Sequence, residues 1–291
     1  MSDPVLCVPE PGLLLRLAAP LQSWGEHSHF TDRDTASFPT RSGVIGLLAA
    51  SLGRPRGEPL TDLTRLSLTV RSDRPGIRLR DLHTVGGGLP PKATVTTAEG
   101  KKRSGETSTL LSHRYYLADA VFTIALTAPL TAESTEAERA DIHGLLKRLE
   151  CALRSPKWPL YLGRRSCPPE GPLFLARTDD ALRHLVRLPL AATAPSTRGI
   201  EFIADRPLHT LPVPDELRTA DAGDGAHPSG QATDEPVTFH TTRRTYRSRP
   251  LYRRSLHLPA DQYAGLGIQQ LTALARYLSN HLAAPQEGGR S

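Results

Sequence analysis

Cysteine and long apolar runs are both scarce in this chain of 291 residues, and each shortage excludes a class of protein. The three cysteines form no CxxC pair, so we expect neither a disulfide framework nor a zinc knuckle, and a reducing cytoplasm is the expected location. The longest apolar-leaning run, residues 43–52, has about half the length of a membrane span. With no signal-peptide pattern at the N-terminus, we expect no membrane partner.

Familiar catalytic signatures are also missing. No HExxH, GxSxG, Walker A or paired-carboxylate pattern occurs in the sequence. We therefore expect no catalytic residue, no bound metal and no cofactor. One alternative stays open, because His113 stands next to Arg114 and two tyrosines and could assist the attack of a 2′-hydroxyl group in RNA cleavage.

What the chain does have is positive charge and many turn-forming residues. Lysine and arginine number 36 against 30 acidic residues, a formal net charge of +6. Excess positive charge attracts polyanions and makes association depend on salt, so nucleic acid is the natural partner. The 26 prolines and 23 glycines favour a compact core with long excursions over a helical bundle.

Hydrophobic periodicity predicts a mixed fold in the first half of the chain. Alternating apolar residues predict strands near 13–17, 66–71, 77–80 and 116–126. Two helices are predicted, one capped by Thr40 and ended by Gly53, the other opened by a capping box of Thr135 and Glu138. If one strand extends another, we predict an α+β fold with the βαββαβ plan of a ferredoxin-like, RNA-recognition-motif (RRM-type) core.

The second half is less regular. We predict a smaller, irregular, β-rich C-terminal region over 173–214, with short strands that include one at 184–190. Residues 215–236 are rich in glycine, alanine and aspartate and are predicted to form a disordered linker. A basic hairpin and an amphipathic tail helix follow over 237–291. The predicted core domain spans 1–172, with an insertion at about 86–113.

The segment from 21 to 53 is the first candidate site. Its predicted helix contains two interior glycines, each costing about 1 kcal/mol relative to alanine, so some interaction should offset them. A phosphate at the helix N-terminus is one explanation, because free N–H groups and the hydroxyls of Thr40 and Ser42 converge there beside Arg41. Close packing through the glycines is the other, and the two explanations stay open.

Three further basic features could bind nucleic acid or could be solvated surface. The excursion at 86–112 has a basic tip, formed by Lys101, Lys102 and Arg103. A glycine followed by Arg164 and Arg165 could grip phosphates. Residues 240–254 interleave arginines with tyrosines, which suits RNA because bases stack on aromatic and guanidinium planes. A disordered loop, a basic turn or a solvated edge strand would explain the same residues.

Several short blocks stand in order along the first two thirds of the chain: LQSWG at 21–25, Arg33, PTRSGVIGLLAA at 39–50, HTVGGG at 83–88, LSHRYYLADA at 111–120 and YLGRRSCP at 161–168. Together they resemble the CasD family of type I-E CRISPR Cascade subunits. The resemblance covers about residues 12–205, with a looser echo at 237–258. The linker and the tail after residue 258 are longer than the family pattern requires.

This resemblance implies a modified RNA-recognition-motif domain with an extended thumb, formed by the insertion at 86–113. It implies a Cascade subunit that binds the 5′ handle of the CRISPR RNA and caps the foot of the complex. Its neighbours would be the CasC backbone subunit and the large CasA subunit, with only indirect contact to target DNA. Because CasE processes the guide in this subtype, no cleavage is expected. The alternative is a metal-independent endoribonuclease that processes CRISPR repeat RNA, as the related type I-C subunit does.

The matched blocks and the basic tip together supply the expected RNA contacts. These residues are Gln22, Ser23, Trp24, Arg33, Thr40, Arg41, Ser42, Gly43, Lys101, Lys102, Arg103, Arg114, Arg164 and Arg165.

Overall fold

The computed structural model describes residues 9–25, 28–29, 31–86, 88, 90–94, 96, 100–102, 109–131, 133–214, 225–240 and 244–282. Its strands and helices, in chain order, are β1 (Gly12–Ala18), β2 (Leu21–Gln22), β3 (Ser28–His29), β4 (Asp32–Arg33), α1 (Arg41–Leu52), β5 (Ser67–Arg74), β6 (Ile77–Val85), β7 (Leu110–Ala118), β8 (Val121–Thr127), α2 (Glu136–Arg154), β9 (Phe174–Thr178), α3 (Ala181–Arg187), β10 (Ile200–Ala204), β11 (Gly230–Phe239), β12 (Arg244–Leu256) and α4 (Ile268–His281).

A seven-stranded sheet in the order β11-β12-β10-β5-β8-β1-β9 forms the centre of the molecule. All of its neighbouring strands are antiparallel. The four described helices pack against a sheet whose strands are antiparallel, which confirms the predicted α+β class. Because β9 pairs with β1, the sheet continues across residue 172, where the sequence predicts the end of the core domain.

The sheet carries an apolar core on each face. Leu13 and Leu15 of β1 join a core with residues of α1 and α2, whereas Leu14 joins a second core with residues of α3 and α4. A strand that is covered on both faces needs apolar side chains on both, which explains the consecutive leucines 13–15 in β1. The caps that the sequence predicts are present, with Thr40 opening α1 and Gly53 ending it at a φ of +71°.

A long two-stranded arm extends from the sheet. We call residues 77–118 the arm; β6 pairs with β7 along it, from Ile77 opposite Ala118 to Val85 opposite Leu110. The predicted strand 116–126 is broken at Asp119, whose φ of +56° turns the chain from β7 into β8. The predicted insertion at 86–113 is therefore only the outer part of the arm, and part of it lies outside the described residues.

Two predictions for the second half of the chain are wrong. Residues 181–187 form α3, not a strand, because Asp180 caps the helix and Leu182, Leu185 and Val186 repeat at helical spacing toward the core. Residues 230–236, predicted to be disordered, lie in β11, which pairs with β12. Residues 215–224 of the predicted linker lie outside the described residues. The predicted basic hairpin and tail helix are both present.

Candidate nucleic-acid interface

A groove of about 630 Å³ opens beside α1 and collects residues from distant parts of the chain. One wall comes from residues 23–25 and 33–34, and the floor from α1 and the turn after it. Residues of the segment 158–165 complete the lining, together with Phe239, Arg244 and Tyr246 of the C-terminal hairpin. Three of the candidate segments that the sequence singles out therefore meet at one place.

Positive charge dominates the described lining of this groove. Six arginines line it against two acidic residues, Asp34 and Glu58. The exposed guanidinium groups are those of Arg33, Arg56, Arg165 and Arg244. Of the other two, Arg54 forms an ion pair with Asp62 and Arg164 is held by backbone carbonyls. The groove is therefore electropositive, which suits a polyanion.

Aromatic rings also face this space. Trp158 is 42% exposed and Tyr246 is 37% exposed, and both line the groove together with Tyr161 and Phe239. Large exposed rings next to guanidinium groups are the combination on which unpaired bases stack while the backbone is bound by charge. Sequence reasoning found Tyr246 within its basic segment but missed Trp158 and Arg56, which stand outside any matched block.

The N-terminus of α1 is occupied by protein groups. The Arg41 backbone N–H donates to the Asp234 carboxylate at 2.6 Å, and the Gly43 N–H donates to the Thr40 hydroxyl at 3.4 Å. Asp234 is itself buried, so a phosphate placed at this helix end would meet a carboxylate. These contacts favour close packing over a bound phosphate as the explanation of the helix glycines. Thr40 acts as a cap and is buried, while Ser42 is half-buried and lines the groove.

Arg41 is likewise a structural residue. Its guanidinium group donates to Asp205 at 2.6 Å and to the carbonyl oxygens of Leu66 and Thr64, each at 2.7 Å, and it forms an ion pair with Glu235. Only 5% of the residue is exposed, which corrects the expectation that it contacts RNA. Burial raises the pKa of the Asp205 carboxyl, against the opposing effect of the Arg41 guanidinium beside it.

Gln22 lies behind the groove wall and holds Trp24, which lines the groove while almost fully buried. Trp24 Nε1 donates to Gln22 Oε1 at 3.0 Å, and Gln22 Nε2 donates to the carbonyl oxygens of Leu17 and Ala120 at 3.1 and 2.7 Å. With 0% of Gln22 and 1% of Trp24 exposed, the two side chains position the groove wall, and their predicted RNA contacts stay predictions. Gly43 packs against the Trp24 ring, and a Cβ atom there would lie 2.8 Å from Trp24 Cε3.

The loop at 161–168 packs directly against the segment at 21–25. The Ser23 N–H donates to the Leu162 carbonyl oxygen at 3.0 Å. Gly163 has a φ of +96°, and a Cβ atom there would lie only 1.7 Å from the Ser23 carbonyl oxygen, so no larger residue fits. Arg164 locks this arrangement by donating to the Tyr115 and Arg33 carbonyl oxygens at 3.0 and 2.8 Å. Arg165, its neighbour, is left exposed in the groove.

The arm residues stand apart from the groove. Lys101 and Lys102 are exposed in its outer part, where Lys102 Nζ donates to the Thr94 carbonyl oxygen at 3.0 Å. Arg114 is half-buried on β7, opposite Asp81. None of these three residues belongs to the described groove lining. Arg103 lies outside the described residues.

The histidine and tyrosine of the cleavage alternative do not come together. His113 Nδ1 lies 3.4 Å from Asp32 Oδ1 at the surface. Tyr116 is 3% exposed, and its hydroxyl lies 3.4 Å from Ser166 Oγ. Because they stand three positions apart along the regular strand β7, they point to opposite faces of the arm, whereas Tyr115 shares the face of His113. Within the part of the chain that the structure describes, no three His, Cys, Asp or Glu side chains group as metal ligands.

The fold and this groove define a class, an α+β protein with an electropositive, aromatic-lined groove of the kind that suits a single nucleic-acid strand. Comparison with known proteins then gives the family. The model of the family described as CRISPR-associated protein (Cas_Cas5) matches residues 12–252, and the chain belongs to this family.

Its relatives agree with that assignment. The chain is 36% identical over 214 residues to the CRISPR system Cascade subunit CasD of Escherichia coli (strain K12), a match that covers 69% of this chain and 90% of the relative. A chain of a solved CRISPR RNA-guided surveillance complex superposes with a TM-score of 0.71 at 38% identity, covering 92% of this chain and 99% of that one. A solved Cas protein superposes with a TM-score of 0.55 at 29% identity, covering 88% and 99%. The predicted resemblance to the CasD family is confirmed.

Among the residues described, every helix is too short or too polar to cross a lipid bilayer.

Proposed function

We propose that this protein is a non-catalytic subunit of a CRISPR Cascade complex that binds the 5′ handle of the CRISPR RNA in the groove beside α1. The observation that carries the proposal is the convergence of Arg33, Arg56, Arg165 and Arg244 on one groove with exposed aromatic rings. Four exposed cations around an open groove can follow a phosphate backbone, and the aromatic rings can stack on the bases. Membership of the family and the likeness to a surveillance-complex chain support the same partner.

We further propose that the core is ferredoxin-like. Strands β9, β1, β8 and β5 are adjacent in that order, and the chain passes through them as β1-α1-β5-β8-α2-β9. This is a βαββαβ unit with its two helices in contact on one face, which supports an RRM-type assignment. In this description the arm is the thumb, and its outer part carries Lys101 and Lys102.

The same proposal includes the neighbouring subunits of this protein and its position in the complex. The protein caps the foot of the complex in the cytoplasm, next to the CasC backbone subunit and the CasA large subunit, and meets target DNA only through them. The likeness to a chain of a solved CRISPR RNA-guided surveillance complex supports an assembly role. The absence of convergence between His113 and Tyr116 supports binding without cleavage.

Cross-linking of an assembled complex tests this function. Co-expression with the other Cascade subunits and a CRISPR array should give a complex in which this chain cross-links to the 5′ end of the guide. Replacing both Arg56 and Arg165 by alanine should weaken that cross-link, whereas a matched variant at Arg198, which is exposed outside the groove, should not. Cross-links found only at the 3′ end of the guide would overturn the proposal.

A direct assay separates binding from cleavage. The purified chain, incubated with repeat RNA in EDTA, should leave the RNA intact while retaining it in a complex. Specific cleavage that is lost on His113→Ala would instead establish the endoribonuclease.

A further inference from the structure

The two glycines of α1 differ in what their neighbours allow. A Cβ atom on Gly43 would lie 2.8 and 3.0 Å from the Trp24 ring, so internal packing requires glycine there. A Cβ atom on Gly46 would lie 3.8 and 4.0 Å from the Phe239 ring, which is ordinary contact. Alanine would therefore fit at position 46 and would favour the helix. Internal packing explains Gly43 and leaves Gly46 unexplained.

Gly46 lies on the floor of the groove. Trp158 and Tyr246 line the same groove, and among the described residues Trp158 stays 42% exposed and Tyr246 37% exposed. Tryptophan and tyrosine are enriched at interfaces, where the apolar ring is covered and its polar group stays hydrated. A bare backbone at Gly46 lets a flat group approach α1 more closely than any side chain would allow.

We infer that this part of the groove is a subsite for an unpaired nucleobase, with Gly46 as its floor and Trp158 and Tyr246 as its stacking surfaces. The inference rests on the proposed function, since it names the part of the RNA that the same groove binds. Arg165 and Arg244, which also line the groove, are placed to hold the adjoining phosphates. Binding in this subsite requires a base that is free of Watson–Crick pairing, because a paired base keeps its faces stacked on its neighbours.

Tryptophan fluorescence can report this contact directly. The chain has two tryptophans, and Trp24 is 1% exposed while Trp158 is 42% exposed. A base that stacks on Trp158 should quench most of the solvent-accessible emission. The full-length chain is titrated with a single-stranded RNA of the repeat 5′ handle and with the same RNA in which the bases are replaced by abasic sites. We expect quenching by the first RNA only, and about tenfold tighter binding of it.

Substitutions test the two parts of the subsite separately. Trp158→Ala should weaken binding of the base-containing RNA about tenfold and leave binding of the abasic RNA unchanged, while Trp158→Phe should restore most of the loss. Gly46→Ala should weaken binding of the base-containing RNA several-fold. The midpoint of thermal unfolding of this variant should be unchanged or higher. Gly144→Ala is the matched control, because that glycine lies in α2 outside the groove and a Cβ atom there would meet only Arg148 Nη1 at 3.8 Å.

The outcomes separate this inference from the proposed function. Equal binding of both RNAs without quenching would overturn the base subsite and leave RNA binding in place. Gly46→Ala that binds RNA as well as Gly144→Ala would overturn the role of Gly46. A chain that binds neither RNA, alone or in the assembled complex, would overturn the proposed function and the inference with it.

Discussion

The Asp234 carboxylate accepts the Arg41 backbone N–H at 2.6 Å and so closes the N-terminus of α1 with a residue 193 positions further along the chain. The same carboxylate receives Arg249 Nε at 2.6 Å and Arg249 Nη2 at 2.9 Å. The buried Asp234 carboxylate thereby connects the C-terminal hairpin to α1, the helix that lines the groove. The wall that carries Tyr246 and Arg244 depends on this attachment.

Removal of Asp234 should be strongly destabilising. Asp234→Ala leaves the Arg249 guanidinium, 8% exposed, without its carboxylate and leaves the Arg41 N–H uncapped. Breaking a buried ion pair from one side costs about 3–5 kcal/mol of unfolding free energy. Urea unfolding measures this change, with Asp261→Ala at an exposed position as the control. A loss below about 1 kcal/mol would show that the hairpin is held by other contacts.

Gly163 should tolerate no side chain. Gly163→Ala must relieve both a left-handed backbone and a clash with the Ser23 carbonyl oxygen, whereas Gly88→Ala at a φ of +73° has nothing within 4 Å and carries backbone strain alone. We expect Gly88→Ala to cost about 1–2 kcal/mol and Gly163→Ala clearly more. Thermal unfolding of the two variants compares them. Equal losses would mean that the contact between the two loops is unimportant.

Salt dependence should identify which arginines face phosphates. Each phosphate contact that is lost should lower the slope of log affinity against log salt by about 1. Arg165→Ala should therefore reduce this slope for a single-stranded RNA, because its guanidinium group is exposed in the groove. Arg198→Ala should leave the slope unchanged. Filter binding at several salt concentrations measures both, and equal slopes would remove Arg165 from the interface.

Stability should rise with pH through the histidine range because of His184. Its Nδ1 lies 3.0 Å from the Tyr277 hydroxyl, which ties α3 to α4, and burial lowers the pKa of this histidine. As the pH falls, the His184 imidazole of the unfolded chain takes up a proton near its ordinary pKa of about 6.5, before that of the folded chain does. The contribution of His184 to stability is therefore full above that pH and is lost as the pH falls. His184→Gln should flatten this part of the curve. The same substitution at His209, which is exposed, serves as the control. An unchanged pH profile for His184→Gln would contradict this assignment.

Local patterns in the sequence predicted many of the elements correctly. The caps at Thr40 and Gly53 and the capping box at Thr135 depend on residues three or four apart, and these are present as predicted. The strand predicted at 184–190 was wrong because its apolar residues fit the periodicity of a strand as well as that of a helix. The Asp180 cap and packing in the second core favour the helix α3. The role of Gly163 in a close approach was suggested by its residue type, although its partner is Ser23 and not a phosphate.

By itself, the sequence determined the class of fold, the order of the first elements and the family, because these follow from neighbouring residues and short blocks. Only the tertiary structure decided what lies at the start of α1, where Asp234, predicted to be in a disordered linker, stands in place of a phosphate. It also decided which charges are free, since Arg41 and Arg164 are held by the protein while Arg56 and Arg165 are exposed. The physical reason is the same in each case. A side chain's partners can lie anywhere along the chain, and periodicity records only the face it occupies.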